Sequence, residues 1–196
     1  MADPIDVLDF WLGEVGADGW YRASDSLDAD CRARFADLWQ AAFDGGLEHW
    51  VDGTVGTLAY LVICDQLARN MHRGDLKAFA TDPQARAAAR VALDEGWDMG
   101  APEPERQFFY LPFMHSEDLA DQALCVKLFT EKMPETGAEQ LIHAQAHETV
   151  IARFGRFPFR NAALGRTSTA EETQFMADGA YGGLVRAIKA SHAASA

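Results

Sequence analysis

Thr81-Asp-Pro-Gln-Ala-Arg-Ala-Ala-Ala-Arg-Val-Ala-Leu-Asp-Glu-Gly96 is the stretch that decides the fold class of this chain of 196 residues. It opens with residues that suit a helix start, including a proline for the first turn, and it closes on a glycine. Alanine occupies five positions between these ends, namely Ala85, Ala87, Ala88, Ala89 and Ala92. Because alanine is the strongest helix former and has little bulk, the stretch predicts a helix that a neighbouring helix can approach closely.

Similar start and stop signals recur along the whole chain. Asp3-Pro4 predicts a first helix, Ser116 is expected to cap a later one, and the Thr169 to Glu172 pattern is a capping box. No segment alternates apolar and polar residues as a half-buried strand does. The sequence therefore predicts an all-α fold of seven to eight helices, stacked as antiparallel pairs. We expect one domain over residues 1–190 and a frayed tail over residues 191–196.

Composition and charge exclude several classes of protein. Hydrophobic residues make up 48% of the chain and charged residues 24%, as in globular domains. A net charge of −13 repels nucleic acids and anionic membranes, so we expect neither as a partner. The N-terminus lacks the basic start and apolar run of a signal peptide, and the longest apolar stretch, Leu58 to Cys64, is too short to span a bilayer. The prediction is a soluble, cytoplasmic protein.

Metal and cofactor sites are not favoured. The three cysteines, Cys31, Cys64 and Cys125, have no metal-ligand spacing, and we expect buried free thiols. His143 and His147 are four residues apart on a predicted helix, but the order of the neighbouring acids does not match a zinc-binding helix. The chain also lacks a phosphate-binding loop and a dinucleotide fingerprint, so we expect neither a metal nor a cofactor.

Three polar segments stand out because helix packing does not require them. In the first, Asp65, Arg69 and Arg73 recur every four residues, on one face of a helix expected to run from near Thr54 to Gly74. This pattern is typical either of an ion-paired, solvated face or of a polar face lining a cleft. The apolar run that precedes Asp65 favours a face that lines a cleft or belongs to a structural polar network.

The second segment follows a proline and contains His115, Ser116, Glu117 and Asp118. Ordinary capping explains Ser116 and the two acids, because a hydroxyl and carboxylates stabilise a helix N-terminus. It leaves His115 unexplained.

The third segment reverses the charge of the chain locally. Between Glu148 and Glu171 there are four arginines and no acid: Arg153, Arg156, Arg160 and Arg166. Arginine suits bidentate pairing with carboxylate or phosphate, and the interleaved phenylalanines indicate that the loop packs against the body. The segment is either a structural loop paired with acids such as Asp65 or Glu117, or an anion site.

At these segments the sequence resembles the DUF924 family of bacterial proteins of unknown function. The matching stretches are, in chain order, Val7–Gly13, Asp65–Asn70 with Arg73-Gly74, Ala78–Asp82, Phe109–Asp118, and Phe154–Asn161 with Leu164–Arg166. The resemblance implies a tetratricopeptide-like helical fold and brings no assigned activity or catalytic residue. The chain departs from the family pattern at Leu67-Ala68, where the family usually has Phe-Pro and a helix kink, and at Phe159, where histidine is usual.

The leading hypothesis is a helical protein that binds a small anionic ligand or an acidic peptide end in a polar cleft. An alternative is an enzyme that uses His115 or His147 as its acid or base, and a third is a protein-interaction scaffold. The candidate binding residues are Asp65, Arg69, Asn70, Arg73, His115, Glu117, His147, Arg156, Arg160 and Asn161. We expect the three segments to converge in space, because buried arginines need carboxylates or an anion nearby.

Overall fold

The computed structural model describes residues 3–195 of the chain. Within them every regular element is helical, no strand occurs, and the α- and π-helices form nine continuous stretches. The all-α prediction is confirmed, and the count is close to the seven to eight expected. The stacked, tetratricopeptide-like arrangement of helix pairs stays a prediction.

The chain divides into two compact units, residues 1–112 and 113–196. The single domain over residues 1–190 stays a prediction. The α-helices of the first unit are α1 (Pro4–Leu8), α2 (Gly16–Gly19), α3 (Asp25–Phe43), α4 (Thr54–Leu61), α5 (Ala68–Met71) and α6 (Asp82–Asp94). A π-helix (Asp9–Val15) joins α1 to α2, and a second π-helix (Val62–Leu67) joins α4 to α5. Single 3₁₀ turns lie at Glu48–Trp50, Leu76–Phe79, Trp97–Gly100 and Glu105–Phe109.

The short helix α7 (Leu111–Met114) crosses the boundary between the units. The second unit then contains α8 (Leu119–Lys132), α9 (Ala138–Phe154), a 3₁₀ turn (Pro158–Arg160), α10 (Ala170–Ala177) and α11 (Ala180–Ser195). Within this unit α9 packs against both α8 and α11. Its core contains Val150, Ile151, Phe157 and Phe175.

The alanine-rich stretch forms α6 as predicted. Ala85, Ala89 and Ala92 are completely buried, and α6 packs against α4. Thr81 precedes the helix, but its hydroxyl does not cap it. The hydroxyl donates to the carbonyl of Cys64 over 2.6 Å, so this threonine ties the start of α6 to the second π-helix.

Local capping signals predicted some helix starts and failed at another. Asp3 caps α1, and both hydrogen bonds of the Thr169–Glu172 capping box form. The prediction that Ser116 caps the next helix is wrong, because Asp118 is the N-cap of α8. The buried Ser116 hydroxyl instead donates to Asp121 over 2.7 Å.

The three cysteines are free and buried, which confirms their prediction. Among the described residues, no helix is both long enough and apolar enough to cross a membrane. Helix α11 continues through Ser195, and the frayed tail over residues 191–196 stays a prediction. Ala196 lies outside the described residues.

Candidate functional site

The first polar segment surrounds the second π-helix, in the first unit. Asp65 lies on this π-helix and is only 1% exposed. The side-chain amide of Gln66 donates to its carboxylate over 2.5 Å, and Arg69 lies 3.1 Å from the same carboxylate. Single-turn π-helices are rare and frequently occur at functional sites. The segment is a buried polar network rather than a solvated helix face.

Arg69 is the centre of this network. Its guanidinium donates two hydrogen bonds to the carboxylate of Asp82, over 3.0 and 3.1 Å, and a third to the backbone carbonyl of Asp65 over 2.6 Å. Burial acts to lower the pKa of Arg69, but the carboxylates of Asp65 and Asp82 raise it above its ordinary value. Arg69 therefore stays charged and cross-links the π-helix to the start of α6.

The prediction that Arg73 extends the same helix face is wrong. Helix α5 ends at Met71, so Arg73 lies beyond it. The Arg73 guanidinium donates to both carboxylate oxygens of Asp28 on α3, over 2.7 and 2.9 Å. Asn70 is mostly buried and hydrogen-bonds the thiol of Cys31, also on α3. These two candidate residues therefore hold α3 against the end of α5.

The second and third polar segments meet in the second unit. The carboxylate of Glu117 accepts two hydrogen bonds from Arg166, over 2.8 and 3.0 Å, and one from the backbone N–H of Phe157 over 2.8 Å. Burial acts to raise the pKa of Glu117, but these donors hold it below its ordinary value. A carboxylate just before α8 therefore fixes the arginine-rich loop.

Two further candidate residues bind a second carboxylate. Arg156 donates to both oxygens of Glu172, over 2.6 and 2.9 Å, and the amide of Asn161 donates to it over 3.3 Å. The hydrogen bonds from Arg156 and from the backbone N–H of Thr169 lower the pKa of Glu172 to about 2. Arg156 and Asn161 thus tie the loop to α10.

Arg160 is placed differently from the other arginines of the loop. It is 6% exposed, and its guanidinium carbon lies 4.4 Å from the centroid of the Phe157 ring. Its positive charge acts to lower the pKa of both Glu117 and His147. Arg160 therefore brings positive charge into the interior of the second unit.

Aromatic rings surround His147 on α9. We call the side chains of His115, His147, Phe157, Phe159 and Tyr181 the histidine cluster. The ring centroids of the other four members lie 6.2, 5.2, 6.4 and 4.7 Å from that of His147, in that order. The two histidines were predicted as site residues, whereas the three other rings were not. Phe159 is 38% exposed, so the cluster extends from the core to the surface.

The hydrogen bonding of His147 fixes its tautomer. Its Nδ1 lies 2.9 Å from the backbone carbonyl of His143. Because a carbonyl only accepts, Nδ1 carries the proton and Nε2 carries a lone pair. In the part of the chain that the structure describes, no group donates to this Nε2. Burial, followed by the electrostatic effects of His115 and Arg160, lowers the pKa of His147 to about 3.

A second arrangement on α9 was not predicted as a site. The Nδ1 of His143 is hydrogen-bonded to the hydroxyl of Tyr181, and its Nε2 lies 3.4 Å from the carboxylate of Glu139. Glu139 in turn accepts a hydrogen bond of 2.5 Å from Lys189 on α11. The sequence carried a partial signal, because Glu139, His143 and His147 recur every four residues along one helix face.

Metal-ligating side chains are not grouped around these histidines in the described part of the chain. Over residues 3–195, no group of three or more histidine, cysteine or acidic side chains is placed to hold a metal ion. The Nδ1 atoms of His143 and His147 face Tyr181 and the backbone, respectively.

Comparisons with known proteins agree with this fold. The model of a family described as bacterial protein of unknown function (DUF924) matches residues 7–180. The chain belongs to the DUF924 family. Its structure is similar to that of ATU0120, a protein of unknown function from Agrobacterium tumefaciens, with a TM-score of 0.81. The two chains are 38% identical, and the match covers 88% of this chain and 96% of the other. None of the curated proteins matches.

Membership of DUF924 confirms the resemblance seen in the sequence. It supplies the family and the helical fold but names no ligand or reaction. The evidence for the function of this member is therefore the geometry of its own side chains.

Proposed function

We propose that this protein binds a small anionic ligand at the histidine cluster of the second unit. The observation that carries the proposal is His147, a neutral imidazole enclosed by aromatic rings and held in one tautomer. Its Nε2 lone pair offers a hydrogen-bond acceptor, and Phe159 and Tyr181 offer apolar faces beside it. Small-molecule sites commonly combine apolar walls with a few fixed polar groups of this kind.

The position of Arg160 indicates that the ligand carries a negative charge. Burial is the main cause that lowers the pKa of His147, and the positive charges of His115 and Arg160 act in the same direction at the imidazole. A negative group beside His147 is therefore favoured, and it interacts more strongly there than in water because the site is largely buried. A ligand that also offers an N–H or O–H can donate to Nε2. A peptide carboxyl end has both groups, an amide N–H and a carboxylate.

The first unit offers a contrasting surface. An open hollow of about 640 Å³ lies beside α1 and α3. Its charged lining contains five acids, Asp3, Asp6, Asp9, Glu14 and Asp37, and one arginine, Arg34, which pairs with Glu14 over 2.6 Å. An anion is repelled by that lining, which favours the histidine cluster as the anion site.

An acid–base role for His147 is less favourable. Efficient general bases have a pKa near the working pH, and a pKa of about 3 makes this imidazole a weak base. The same low pKa keeps it neutral at pH 7 and preserves Nε2 as an acceptor. This protonation state favours binding over proton transfer at His147.

A ligand titration tests the proposal. N-acetylglycine carries both an amide N–H and a carboxylate, acetate carries only the carboxylate, and N-methylacetamide carries only the N–H. We expect N-acetylglycine to bind more tightly than the other two, to raise the melting temperature, and to shift the imidazole Cε1–H resonance of His147. Binding of an anion should also raise the pKa of His147, because the negative charge stabilises the imidazolium.

Two variants and one control identify the site. Arg160→Met and His147→Gln should each weaken binding of N-acetylglycine about tenfold or more, since each removes a polar partner. Arg153→Met is the matched control, because Arg153 lies in the last turn of α9, next to the same loop, but pairs at the surface with Glu171. Equal loss of binding in Arg153→Met, or no shift of the His147 resonance with either anion, would contradict the proposal.

A further inference from the structure

We propose that Tyr181, His143 and Glu139 form a nucleophilic relay, in which the phenol oxygen of Tyr181 attacks an electrophilic acyl or sulfonyl centre. The three side chains follow one another in the order hydroxyl, imidazole and carboxylate. Tyr181 is hydrogen-bonded to Nδ1 of His143, and Nε2 of His143 faces the Glu139 carboxylate. A nucleophile beside a base that a third group orients is recognised by geometry and not by sequence order.

The hydrogen bonds set the direction of proton transfer. A carboxylate only accepts, so the neutral imidazole of His143 places its proton on Nε2, toward Glu139. Its Nδ1 then carries the lone pair and accepts from the Tyr181 hydroxyl. Lys189 holds Glu139 ionised, since its hydrogen bond is the main reason that the pKa of Glu139 lies below the ordinary value. The Tyr181 proton therefore already points at its acceptor.

The reaction balances with these groups alone. The Tyr181 oxygen forms a bond to the electrophilic carbon or sulfur, and the leaving group departs with the electrons of its own bond. The phenolic proton passes to Nδ1 of His143, giving an imidazolium whose Nε2–H faces Glu139. Tyr181 and His143 are the reacting groups, whereas Glu139 acts through His143 as a positioning residue.

The relay allows Tyr181 to react without first forming a free phenolate. Burial is the main cause that raises the pKa of its phenol, so the free phenolate is scarce at neutral pH. Proton transfer to His143 during the attack avoids a free phenolate. The titratable and charged groups around His143 are Glu139 and His147 on α9, and Tyr181 and Lys189 on α11. Burial lowers the pKa of His143, against the effect of Glu139, and keeps the imidazole available as a base at pH 7.

The inference is independent of the proposed anion site, because it concerns the reactivity of the protein without a ligand. The probe is phenylmethanesulfonyl fluoride, which forms a tyrosine O–S bond with release of fluoride. The full-length protein is treated with the probe, and adducts at Tyr181 and Tyr21 are quantified by peptide mass spectrometry. Tyr21 is the internal control, since burial raises the pKa of its phenol as it does for Tyr181, but its hydroxyl bonds the amide oxygen of Gln107 instead of an imidazole.

The pH dependence distinguishes a relay from an ordinary phenol. Between about pH 7 and pH 8.5, the adduct rate at Tyr181 should change less than about threefold, because its base His143 is neutral throughout this range. The rate at Tyr21 should rise about tenfold per pH unit, since only its phenolate reacts. His143→Gln should slow the Tyr181 adduct about a hundredfold, the scale of a lost general base.

The role of the Glu139 carboxylate is tested by a separate measurement, the tautomer of His143. Glu139→Gln should change the tautomer of His143, seen in its imidazole ¹⁵N shifts, and should slow the Tyr181 adduct. Lys189→Met removes the other partner of Glu139 and keeps the carboxylate, so it should preserve the tautomer. Equal effects of these two variants would mean that Glu139 only joins two helices, and would overturn its place in the relay.

Three results would overturn the whole proposal. The first is no adduct at Tyr181, whether or not Tyr21 reacts. The second is a Tyr181 rate that rises with pH as steeply as that of Tyr21. The third is an unchanged Tyr181 rate in His143→Gln. Helix content and melting temperature are measured for every variant, and His143→Asn provides a second removal of the base if His143→Gln does not fold.

Discussion

The ion pair between Glu117 and Arg166 should stabilise the second unit more than a surface pair does. It consists of two hydrogen bonds of 2.8 and 3.0 Å, and the side chains are only 28% and 23% exposed. Glu117 also accepts from the backbone N–H of Phe157, whose ring is completely buried. The carboxylate of Glu117 therefore holds the arginine-rich loop in place through one arginine side chain and one backbone N–H.

A double-mutant cycle measures the strength of this pair. Hydrogen bonds to charged groups contribute about 1.5–3 kcal/mol when shielded, and the partial exposure of both side chains reduces that figure. We expect a coupling of about 1.5 kcal/mol from Glu117→Gln, Arg166→Met and the double variant. A matched control is the pair of Arg153 on α9 and Glu171 on α10, the helices that flank the loop; these side chains are 49% and 62% exposed and should couple by about 0.5 kcal/mol.

The unfolding assay has to detect the second unit, because the Glu117–Arg166 pair lies there. All five tryptophans lie in the first unit, at positions 11, 20, 39, 50 and 97, so their fluorescence is local to residues before 113. Urea unfolding should therefore be followed by circular dichroism at 222 nm as well as by fluorescence. A change of 1 kcal/mol corresponds to a shift in melting temperature of about 2–4 °C for a chain of this size.

Acid provides a second test of the same pair. The folded-state pKa of Glu117 lies below its ordinary value, so the stabilisation is complete above the ordinary glutamate pKa. It is then lost as the pH falls through the folded-state pKa. The stability difference between the wild type and Glu117→Gln should therefore shrink on acidification. A Glu117–Arg166 coupling no larger than that of Arg153–Glu171 would refute the structural role assigned to this carboxylate.

Three further predictions follow from burial and packing. Cys64 and Cys125 should resist thiol reagents in the native state and react quickly in urea, because both are buried and burial raises their pKa. Gly56→Ala should cost about 1–3 kcal/mol in urea unfolding, since a Cβ there would lie 2.3 Å from a backbone oxygen, whereas Gly13→Ala meets nothing within 4 Å and should be nearly neutral. Stability should fall as the pH drops from about 6.5 toward 3, because His147 takes up a proton more easily when unfolded; His147→Gln should flatten that slope.

The sequence predicted those features that local chemistry determines. The caps at Asp3 and Thr169 form because each depends on residues within three positions of itself. The alanines of α6 are buried because helix propensity and small size act together there. The prediction that Ser116 is a cap was wrong because its hydroxyl donates a hydrogen bond to the carboxylate of Asp121, five residues later.

Features that depend on distant pairs could not be read from spacing alone. Arg73 was assigned to the face of Asp65, but its partner is Asp28, 45 residues earlier in the chain. Tyr181 was missed because it meets His143 only through the packing of α11 on α9, 38 residues apart in the sequence. The recurrence of Glu139, His143 and His147 every four residues is a signal in the sequence for this site, but it contains no information about Tyr181.

The two histidines of α9 differ in the hydrogen-bond partners of their ring nitrogens. This difference suits His147 for binding a ligand and His143 for accepting a proton. His147 donates its single proton to a backbone carbonyl, so its remaining nitrogen accepts from a ligand and its low pKa keeps it from taking a proton. His143 places its nitrogens between a hydroxyl and a carboxylate, an arrangement in which a proton that enters from Tyr181 is stabilised by Glu139. One helix face therefore presents an acceptor and a base one turn apart. A ligand held at His147 would lie beside the Tyr181 ring, whose centroid is 4.7 Å from that of His147, and this places binding and reactivity on the same side of α9.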